Sequence, residues 1–182
     1  MQDLGTLRDT LPDLARDTKL NLQGVFEGGA LTLAQKHGVA VAVAAATRHA
    51  ELRDALVARA RAEVDETVVE DALAVASLMA MNNVYYRFRH LVGKPVYSEK
   101  PARLRMNRIG KPATPRADFE LVCLAVSALN GCEACIQAHE KAVLEGGLTE
   151  DHVHDAVRIA AVLNAAAVAL EAASAPQAVA TA

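Results

Sequence analysis

The residues best able to do chemistry are concentrated in residues 120–139, which contain two cysteines in a Cys-x-x-Cys arrangement. Cys132 and Cys135 are three residues apart, and His139 follows four residues later. In a helix that begins near Gly131, these residues occupy positions i, i+3 and i+7, so both sulfurs and the imidazole share one face. The three side chains can therefore act on the same substrate.

Cysteines in the first turn of a helix are suited to thiolate chemistry. Unpaired N–H groups and the positive end of the helix dipole stabilise a thiolate and lower the pKa of the thiol. A thiolate is the species that attacks peroxides and disulfides. Because Cys132 and Cys135 lie one helical turn apart, they can also form a disulfide with each other. The pair can therefore cycle between dithiol and disulfide.

Two further residues could move protons during such a cycle. His139 lies one turn beyond Cys135 and can accept or supply a proton near neutral pH. Glu120, on the preceding predicted helix, could orient that imidazole and raise its basicity. With the cysteine pair, these residues would supply a nucleophile, a general base and a group that orients the base. The spacing therefore predicts Cys132, Cys135 and His139 as site residues, whereas Glu120 by itself would be an ordinary charge on a solvated helix face.

A metal site is the alternative interpretation of the same segment. A closed structural zinc site needs four ligands, so the cysteine pair and His139 would have to recruit Cys123 or a distant histidine. The sequence contains no second Cys-x-x-Cys and no His-x-x-x-His pair. Cys123 lies in an apolar run, residues 121–126, and is most simply a small buried core residue. The sequence therefore predicts no metal at the site.

Composition limits the class of protein that carries this segment. The chain has 182 residues with 52% hydrophobic and 3% aromatic residues, and 19 Lys plus Arg against 22 Asp plus Glu give a net charge of -3. This length suits a single domain, and the apolar content excludes disorder for the bulk of the chain. A slightly acidic chain with scattered basic residues is an unsuitable partner for nucleic acid.

The compartment can also be inferred from composition. The longest strongly apolar run, residues 39–46, is too short to cross a bilayer. Residues 1–10 carry charges and lack the apolar segment of a secretory signal. The three cysteines, Cys123, Cys132 and Cys135, are too few and too clustered for a secreted disulfide scaffold. We therefore expect a cytoplasmic protein without a membrane partner.

The elements that must position the site are predicted to be helices throughout. Strong helix formers dominate, and β-branched or aromatic residues never alternate over the length of a strand. The interval 93–115 contains four prolines and is predicted to be a loop. Thr149 is expected to cap the last helix, and residues 174–182 are expected to fray. The predicted helices cover approximately residues 4–15, 32–47, 50–63, 66–88, 116–129, 132–144 and 149–173.

The chain also matches itself at an offset of 84 residues, without gaps. Alanine-rich helices can match by chance, but the recurring Glu66 and Asp71 are not alanines, and the predicted helix breaks coincide. We therefore predict an internal duplication inside one domain, residues 1–182, with sub-repeats at about 32–90 and 116–173. Only the second half carries the cysteine pair.

Motifs along nearly the whole chain carry a specific resemblance. They occupy residues 19–22, 44–48, 81–87, 104–107, 119–121, 125–132 and 138–140, which read KLNL, AAATR, MNNVYYR, LRMN, FEL, AVSALNGC and AHE. Together they resemble the AhpD family of alkyl hydroperoxide reductases, within the carboxymuconolactone decarboxylase-like group of small helical proteins. The resemblance implies an all-α fold and, typically, a homotrimer.

The function that the resemblance implies is that of an antioxidant thiol enzyme. Such a protein reduces hydroperoxides weakly itself and chiefly re-reduces a partner peroxiredoxin of the AhpC type. Its electrons come from dihydrolipoamide carried by a lipoyl-bearing 2-oxoacid dehydrogenase component, and no tightly bound cofactor is implied.

The resemblance also implies a role for each site residue. Cys135 would be the more exposed, attacking thiol and would form a sulfenic acid or a mixed disulfide with the peroxiredoxin. Cys132 would be its resolving partner and proton donor. Glu120 and His139 match the proton-relay carboxylate and imidazole of the family, working through water. Family members often have a histidine directly before the second cysteine, and Ala134 occupies that position here, so we expect a lower direct peroxidase rate.

Two other functions stay open at the level of sequence. A carboxymuconolactone decarboxylase-like enzyme would need no cysteine pair. A redox-sensing or zinc-stabilised interaction protein would use the cysteines without turnover, and chelation would then abolish folding.

Overall fold

The computed structural model describes residues 3–174. Within that range the regular elements are all helices, and there are no strands. The prediction of an all-α fold is therefore confirmed. The helices are α1 (Leu4–Asp9), a short 3₁₀ helix (Asp13–Ala15), α2 (Arg16–Gly24), α3 (Leu33–Thr47), α4 (Ala50–Glu63), α5 (Glu66–Val92), α6 (Pro95–Glu99), α7 (Asn107–Gly110), α8 (Arg116–Leu129), α9 (Glu133–Glu145) and α10 (Glu150–Ser174).

Local capping explains where several helices begin. The side chain of Thr32 accepts the backbone N–H of Gln35, and the side chain of Gln35 accepts the N–H of Thr32, which forms a capping box at the start of α3. His49 and Asp65 cap α4 and α5 by accepting backbone N–H groups in the first turn. These helices begin within one residue of their predicted starts because the capping residues are local signals.

The sequence-based prediction was wrong in three segments. The helix predicted at residues 4–15 ends at Asp9, because Pro12 lacks an N–H and cannot continue a helix, and α2 follows where no helix was predicted. The helix predicted to end at residue 88 continues to Val92 and stops before Gly93, which adopts a left-handed backbone. The interval 93–115 is not a plain loop, since it contains the short helices α6 and α7.

Two central helices form the middle of the core. In α3, the six consecutive residues Val39–Ala44 have no exposed surface, and the stretch of α8 from Phe119 to Ser127 is buried as well. These helices pack against each other and are flanked by α5 and α10, while α4 covers α3 and α9 covers α8. Small alanine and valine side chains allow the helices to approach closely. The core therefore holds α8 in a fixed position beneath α9.

Two aspartates, one in each predicted sub-repeat, hold the segment that precedes the first helix of the other sub-repeat. Asp71 in α5 accepts the backbone N–H of Thr114, just before α8, at 2.8 Å. Asp155 in α10 accepts the N–H of Ala30, just before α3, also at 2.8 Å. Each aspartate thus holds the segment that leads into the first helix of the other half. The contacts fit the predicted internal duplication, which itself stays a prediction.

The last helix, α10, is long and apolar enough to span a bilayer by length and composition alone, a test that buried helices of soluble proteins also pass. One face of α10 packs against α3 and α8, and Ile159 and Leu163 on that face are buried. The helix thus belongs to the core of the bundle. The tail predicted to fray, residues 174–182, lies outside the described residues except for Ser174, which ends α10.

Candidate redox site

The turn between α8 and α9 places the cysteine pair. Gly131 adopts a left-handed backbone, with φ of 62°, which glycine reaches without steric cost. Cys132 is the N-cap of α9, and its carbonyl accepts the backbone N–H groups of Cys135 and Ile136 at 3.0 and 2.9 Å. Both cysteines therefore lie at the N-terminal end of a helix, which begins one residue later than predicted.

Cys132 and Cys135 are joined in a disulfide, with their Cα atoms 5.3 Å apart. Cys132 has no exposed surface, whereas 7% of Cys135 is exposed. Cys135 is thus the more accessible of the two, which is the order that the resemblance implies for the attacking thiol. A reagent from solution meets Cys135 first.

Glu120 and His139 form a pair, and His139 lies one helical turn beyond Cys135 on α9. Nδ1 of His139 lies 2.6 Å from Oε2 of Glu120, and the side chain of Glu120 is buried while that of His139 is 15% exposed. The two residues come from adjacent helices, α8 and α9, which pack closely along their lengths. The structure therefore brings all four predicted site residues into one region.

The ionisation of Glu120 follows from its neighbours. Burial by itself raises the pKa of this carboxyl, but the hydrogen bond and charge of His139, followed by the charge of Arg116, outweigh burial and hold the pKa below its usual value. An ionised carboxylate only accepts hydrogen bonds, so the short contact requires a proton on Nδ1 of His139. Nε2 is then the ring nitrogen available for proton exchange.

Arg116 is a contributor that the sequence analysis missed. Its Nη2 lies 2.5 Å from Oε1 of Glu120, which is one turn further along α8. The i, i+4 spacing of the two residues in a predicted helix was the available signal, because such pairs lie on one helix face. Arg116 neutralises the second carboxylate oxygen and leaves the first to His139.

Cys123 is a buried core residue, as predicted, and it also borders the Glu120–His139 pair. Its sulfur, a Glu120 oxygen and a His139 ring nitrogen all lie within 4.8 Å of one another. Burial, and then the charge of Glu120, raise the pKa of Cys123 well above its usual value, so this thiol stays protonated. A metal ion held by these three residues would have one ligand fewer than a closed structural zinc site.

A second contact that the sequence analysis missed holds the loop before the disulfide. Arg87, on α5, donates a hydrogen bond to the backbone carbonyl of Asn130 at 2.5 Å. Asn130 is the C-cap of α8 and lies two residues before Cys132. No local pattern could have indicated this contact, because the two residues are 43 positions apart.

Comparisons with known proteins place the chain in a family. Residues 95–178, which include all four site residues, match the carboxymuconolactone decarboxylase family. Over nearly its whole length the chain is similar to curated proteins described as alkyl hydroperoxide reductase AhpD. The protein from Anaeromyxobacter dehalogenans is 66% identical over 171 residues, covering 94% of this chain and 92% of that protein. The protein from Brucella canis is 48% identical over 167 residues, covering 92% and 95% of the two chains. The protein from Methylocella silvestris is 46% identical over 173 residues, covering 95% and 97%.

Proposed function

The chain belongs to the AhpD family of alkyl hydroperoxide reductases, and on that premise we propose that it is an antioxidant thiol–disulfide oxidoreductase that reduces hydroperoxides. The observation that carries the proposal is the Cys132–Cys135 disulfide at the start of α9, one helical turn from the His139–Glu120 pair. A helix N-terminus favours the thiolate, and an imidazole with a free Nε2 can move the accompanying proton.

In the dithiol form, the Cys135 thiolate attacks an oxygen of the hydroperoxide. The O–O bond breaks, an alcohol leaves after taking up a proton, and Cys135 becomes a sulfenic acid. The Cys132 sulfur then attacks the sulfur of Cys135 and displaces water. Two electrons pass from the cysteine pair to the peroxide, and the disulfide is formed.

The same pair can regenerate a partner peroxiredoxin of the AhpC type. The Cys135 thiolate attacks the disulfide of the oxidised peroxiredoxin, which forms an interchain mixed disulfide and releases one peroxiredoxin thiol. Cys132 then attacks Cys135, releases the second peroxiredoxin thiol and closes the internal disulfide. Ala134, in the place of a histidine common in the family, leaves proton transfer to His139 and Glu120, so we expect peroxiredoxin regeneration to outweigh direct peroxide reduction.

The electrons that reopen the disulfide come from dihydrolipoamide. One of its thiolates attacks a sulfur of the Cys132–Cys135 bond, which forms a mixed disulfide and releases the other cysteine as a thiol. The second lipoyl thiolate then attacks the lipoyl sulfur of that mixed disulfide, which closes the lipoamide ring and releases the second protein thiol. We propose a lipoyl-bearing 2-oxoacid dehydrogenase component as the carrier of this group. The cycle needs no tightly bound cofactor.

His139 and Glu120 act as a proton relay in both half-reactions. Glu120 stays ionised and accepts the Nδ1 proton of His139, which fixes the ring. Nε2 can then take the thiol proton directly or through water and return it to the leaving group.

We further propose a cytoplasmic homotrimer that has no membrane or nucleic-acid partner. Support for a contact between protomers comes from α5, where Val84, Phe88 and Leu91 are exposed at i, i+4 and i+7 and form one apolar stripe. Reducing cytoplasmic conditions would allow the dithiol state that the cycle requires.

Peroxide consumption by the purified protein, with dihydrolipoamide as the sole reductant, tests the proposal. We expect turnover in the wild type, an increase when the peroxiredoxin is added, and a loss of at least about 100-fold in Cys135→Ser, because the attacking sulfur is removed. Cys123→Ala is the matched control that removes a cysteine outside the disulfide and should retain turnover.

The carboxymuconolactone decarboxylase family match supports a second candidate, a decarboxylase-like activity. That activity would need no cysteine pair, so insensitivity to thiol alkylation would favour it. An absence of turnover, with both thiols still reduced after peroxide treatment, would contradict the redox proposal. Stoichiometric zinc in that protein, with loss of folding on chelation, would support an interaction protein instead.

A further inference from the structure

A cavity of about 480 Å³ lies between the end of α3, the start of α4 and the middle of α5. Its walls include Arg48, Arg53 and Arg87, and no aspartate or glutamate contributes to the described lining. Alanine and aliphatic side chains, a serine and two asparagines complete the walls. We refer to this space as the arginine cavity, and its charge is positive.

The three arginines differ in how far their charges are neutralised. Arg53 pairs with Asp54 at 2.8 Å, and Arg87 donates to the carbonyl of Asn130. The guanidinium of Arg48, in contrast, has no hydrogen-bond or ion-pair partner among residues 3–174, and this residue is exposed. An anion that enters the arginine cavity therefore meets one arginine whose donors are all available.

The backbone of Arg48 points to a role for its side chain. Arg48 is the C-cap of α3 and adopts the left-handed conformation, with φ of 65°, which is unfavourable for residues that carry a Cβ. In the turn after α8, the same conformation is adopted by Gly131, with φ of 62°. Glycine would satisfy the backbone at residue 48 at a lower conformational cost, so the backbone gives no reason for an arginine there.

Guanidinium groups recognise planar or tetrahedral oxyanions through parallel N–H donors. Carboxylates and phosphates accept such paired hydrogen bonds, which are stronger than those between neutral groups. The volume of the arginine cavity lies in the range of sites for small molecules. We propose that the arginine cavity binds a small molecule that bears a carboxylate or phosphate group, with Arg48 as its main anchor and Arg87 as a second donor.

The arginine cavity borders the turn that leads from α8 to the disulfide. Asn130 forms part of the cavity wall. It is also the C-cap of α8 and lies two residues before Cys132. A bound anion would therefore lie beside the segment that leads into the cysteine pair. The proposal itself rests on charge and shape alone and does not depend on the redox cycle.

Isothermal titration calorimetry with citrate and with inorganic phosphate, on the oxidised full-length protein at low ionic strength, tests the proposal. We expect binding at one site per chain that weakens as sodium chloride is added, because salt screens the charges. Arg48→Gly should weaken binding at least about tenfold, since it removes a charge-assisted pair of hydrogen bonds. Glycine suits the left-handed backbone, so this variant should fold at least as well as the wild type.

Arg48→Gln and Arg105→Gln form a matched pair with the same change in net charge. Arg105 is exposed and lies outside the cavity, so only Arg48→Gln should lose affinity. Tighter binding of citrate would identify a carboxylate ligand, and tighter binding of phosphate would identify a phosphorylated one. The proposal would be overturned if the wild type bound neither probe at millimolar concentration, or if Arg48→Gly bound as tightly as the wild type.

Discussion

Single residues around the disulfide are held in different protonation states by their surroundings. Glu120 is buried, yet His139 and Arg116 keep its pKa low, so it remains an anion. Cys123 lies within 4.8 Å of Glu120 and His139 and has its pKa raised by burial and by the Glu120 charge, so it remains a neutral thiol. A carboxylate and a protonated thiol can therefore coexist at the site, and only the cysteines at the start of α9 are placed to become nucleophiles.

Selective alkylation tests this division of roles among the three cysteines. After reduction of the folded protein, we expect iodoacetamide near pH 8 to label Cys135 first and to leave Cys123 unlabelled. Cys123 has no exposed surface and a raised pKa, so both access and thiolate formation are suppressed. Peptide mass spectrometry over a time course measures the three rates.

The unfolded protein supplies the control for this experiment. In guanidinium chloride all three cysteines should be labelled at similar rates, because burial and the local charges are lost. Labelling of Cys123 in the folded protein as fast as Cys135 would contradict the assignment.

Helices and the segments between them are positioned by contacts that span the two halves. Asp71 in α5 accepts two backbone N–H groups and the hydroxyl of Thr114 from the segment before α8, and it also pairs with Arg108. That segment leads directly into Arg116, which contacts Glu120. A buried carboxylate far away in the sequence thus sets the start of the helix that carries the proton relay.

Replacing this carboxylate should destabilise the fold in a pH-dependent manner. We expect Asp71→Asn to lower the free energy of unfolding by about 2–4 kcal/mol at neutral pH, because buried donors lose a charged acceptor. Burial by itself raises the pKa of Asp71. Hydrogen bonds from Thr114 and then from Arg108 lower the pKa by more than burial raises it, so the pKa in the folded protein is below its usual value. The stabilisation is therefore present above the unfolded pKa, about 3.9, and is lost as the pH falls through the folded pKa.

Urea denaturation of wild type and variant at neutral pH and near pH 3 provides the measurement. The difference between the two proteins should shrink at the lower pH. Asp151→Asn, an exposed position in α10, is the matched control and should change stability by no more than about 0.5 kcal/mol. An equal loss in both variants would argue against the anchoring role of Asp71.

At the scale of the whole molecule, the C-terminal half of α5 carries a row of exposed apolar side chains. Val84, Phe88 and Leu91 are 61%, 47% and 75% exposed and form a stripe along one face. Phe88 also contacts Tyr97 in α6, which extends this apolar surface beyond the helix. Contiguous apolar patches of this kind often mark contacts between protein molecules. The stripe is the surface on which we expect the proposed homotrimer to form.

A charge placed in the stripe should therefore disrupt the assembly. We expect Leu91→Arg to convert the wild-type oligomer into monomers, because an unpaired guanidinium would be buried in an apolar interface. Size-exclusion chromatography with light scattering measures the mass of each species. Leu20→Arg, at an exposed leucine on α2, makes the same substitution outside the stripe and should leave the mass unchanged. A monomeric wild type would show that the expected trimer does not form.

Most of what could be predicted from the sequence depends on interactions between residues that are close together in the chain. Caps, helix propensity and glycine stops act within a few residues, so the bounds of α3, α4, α8 and α9 and the start of α5 were predicted to within one residue. The same short range placed Cys132, Cys135 and His139 relative to one another, because all three belong to one helical segment. The prediction was wrong at α2 and in residues 93–115, where proline and weak periodicity hid short helices.

Tertiary structure decided how groups that are distant in the sequence meet, although the family resemblance had already indicated Glu120 and His139 as a relay. The pairing of His139 with Glu120 depends on how α9 crosses α8, and the Asp71 and Arg87 contacts depend on the packing of α5 against the loops before and after α8. The position of Cys123 beside the relay has the same origin. Such contacts arise from side-chain packing between helices, which a pattern along one helix does not encode. The sequence by itself therefore determined the fold class and the cysteine pair, and only the packed bundle decided their electrostatic surroundings and the arginine cavity.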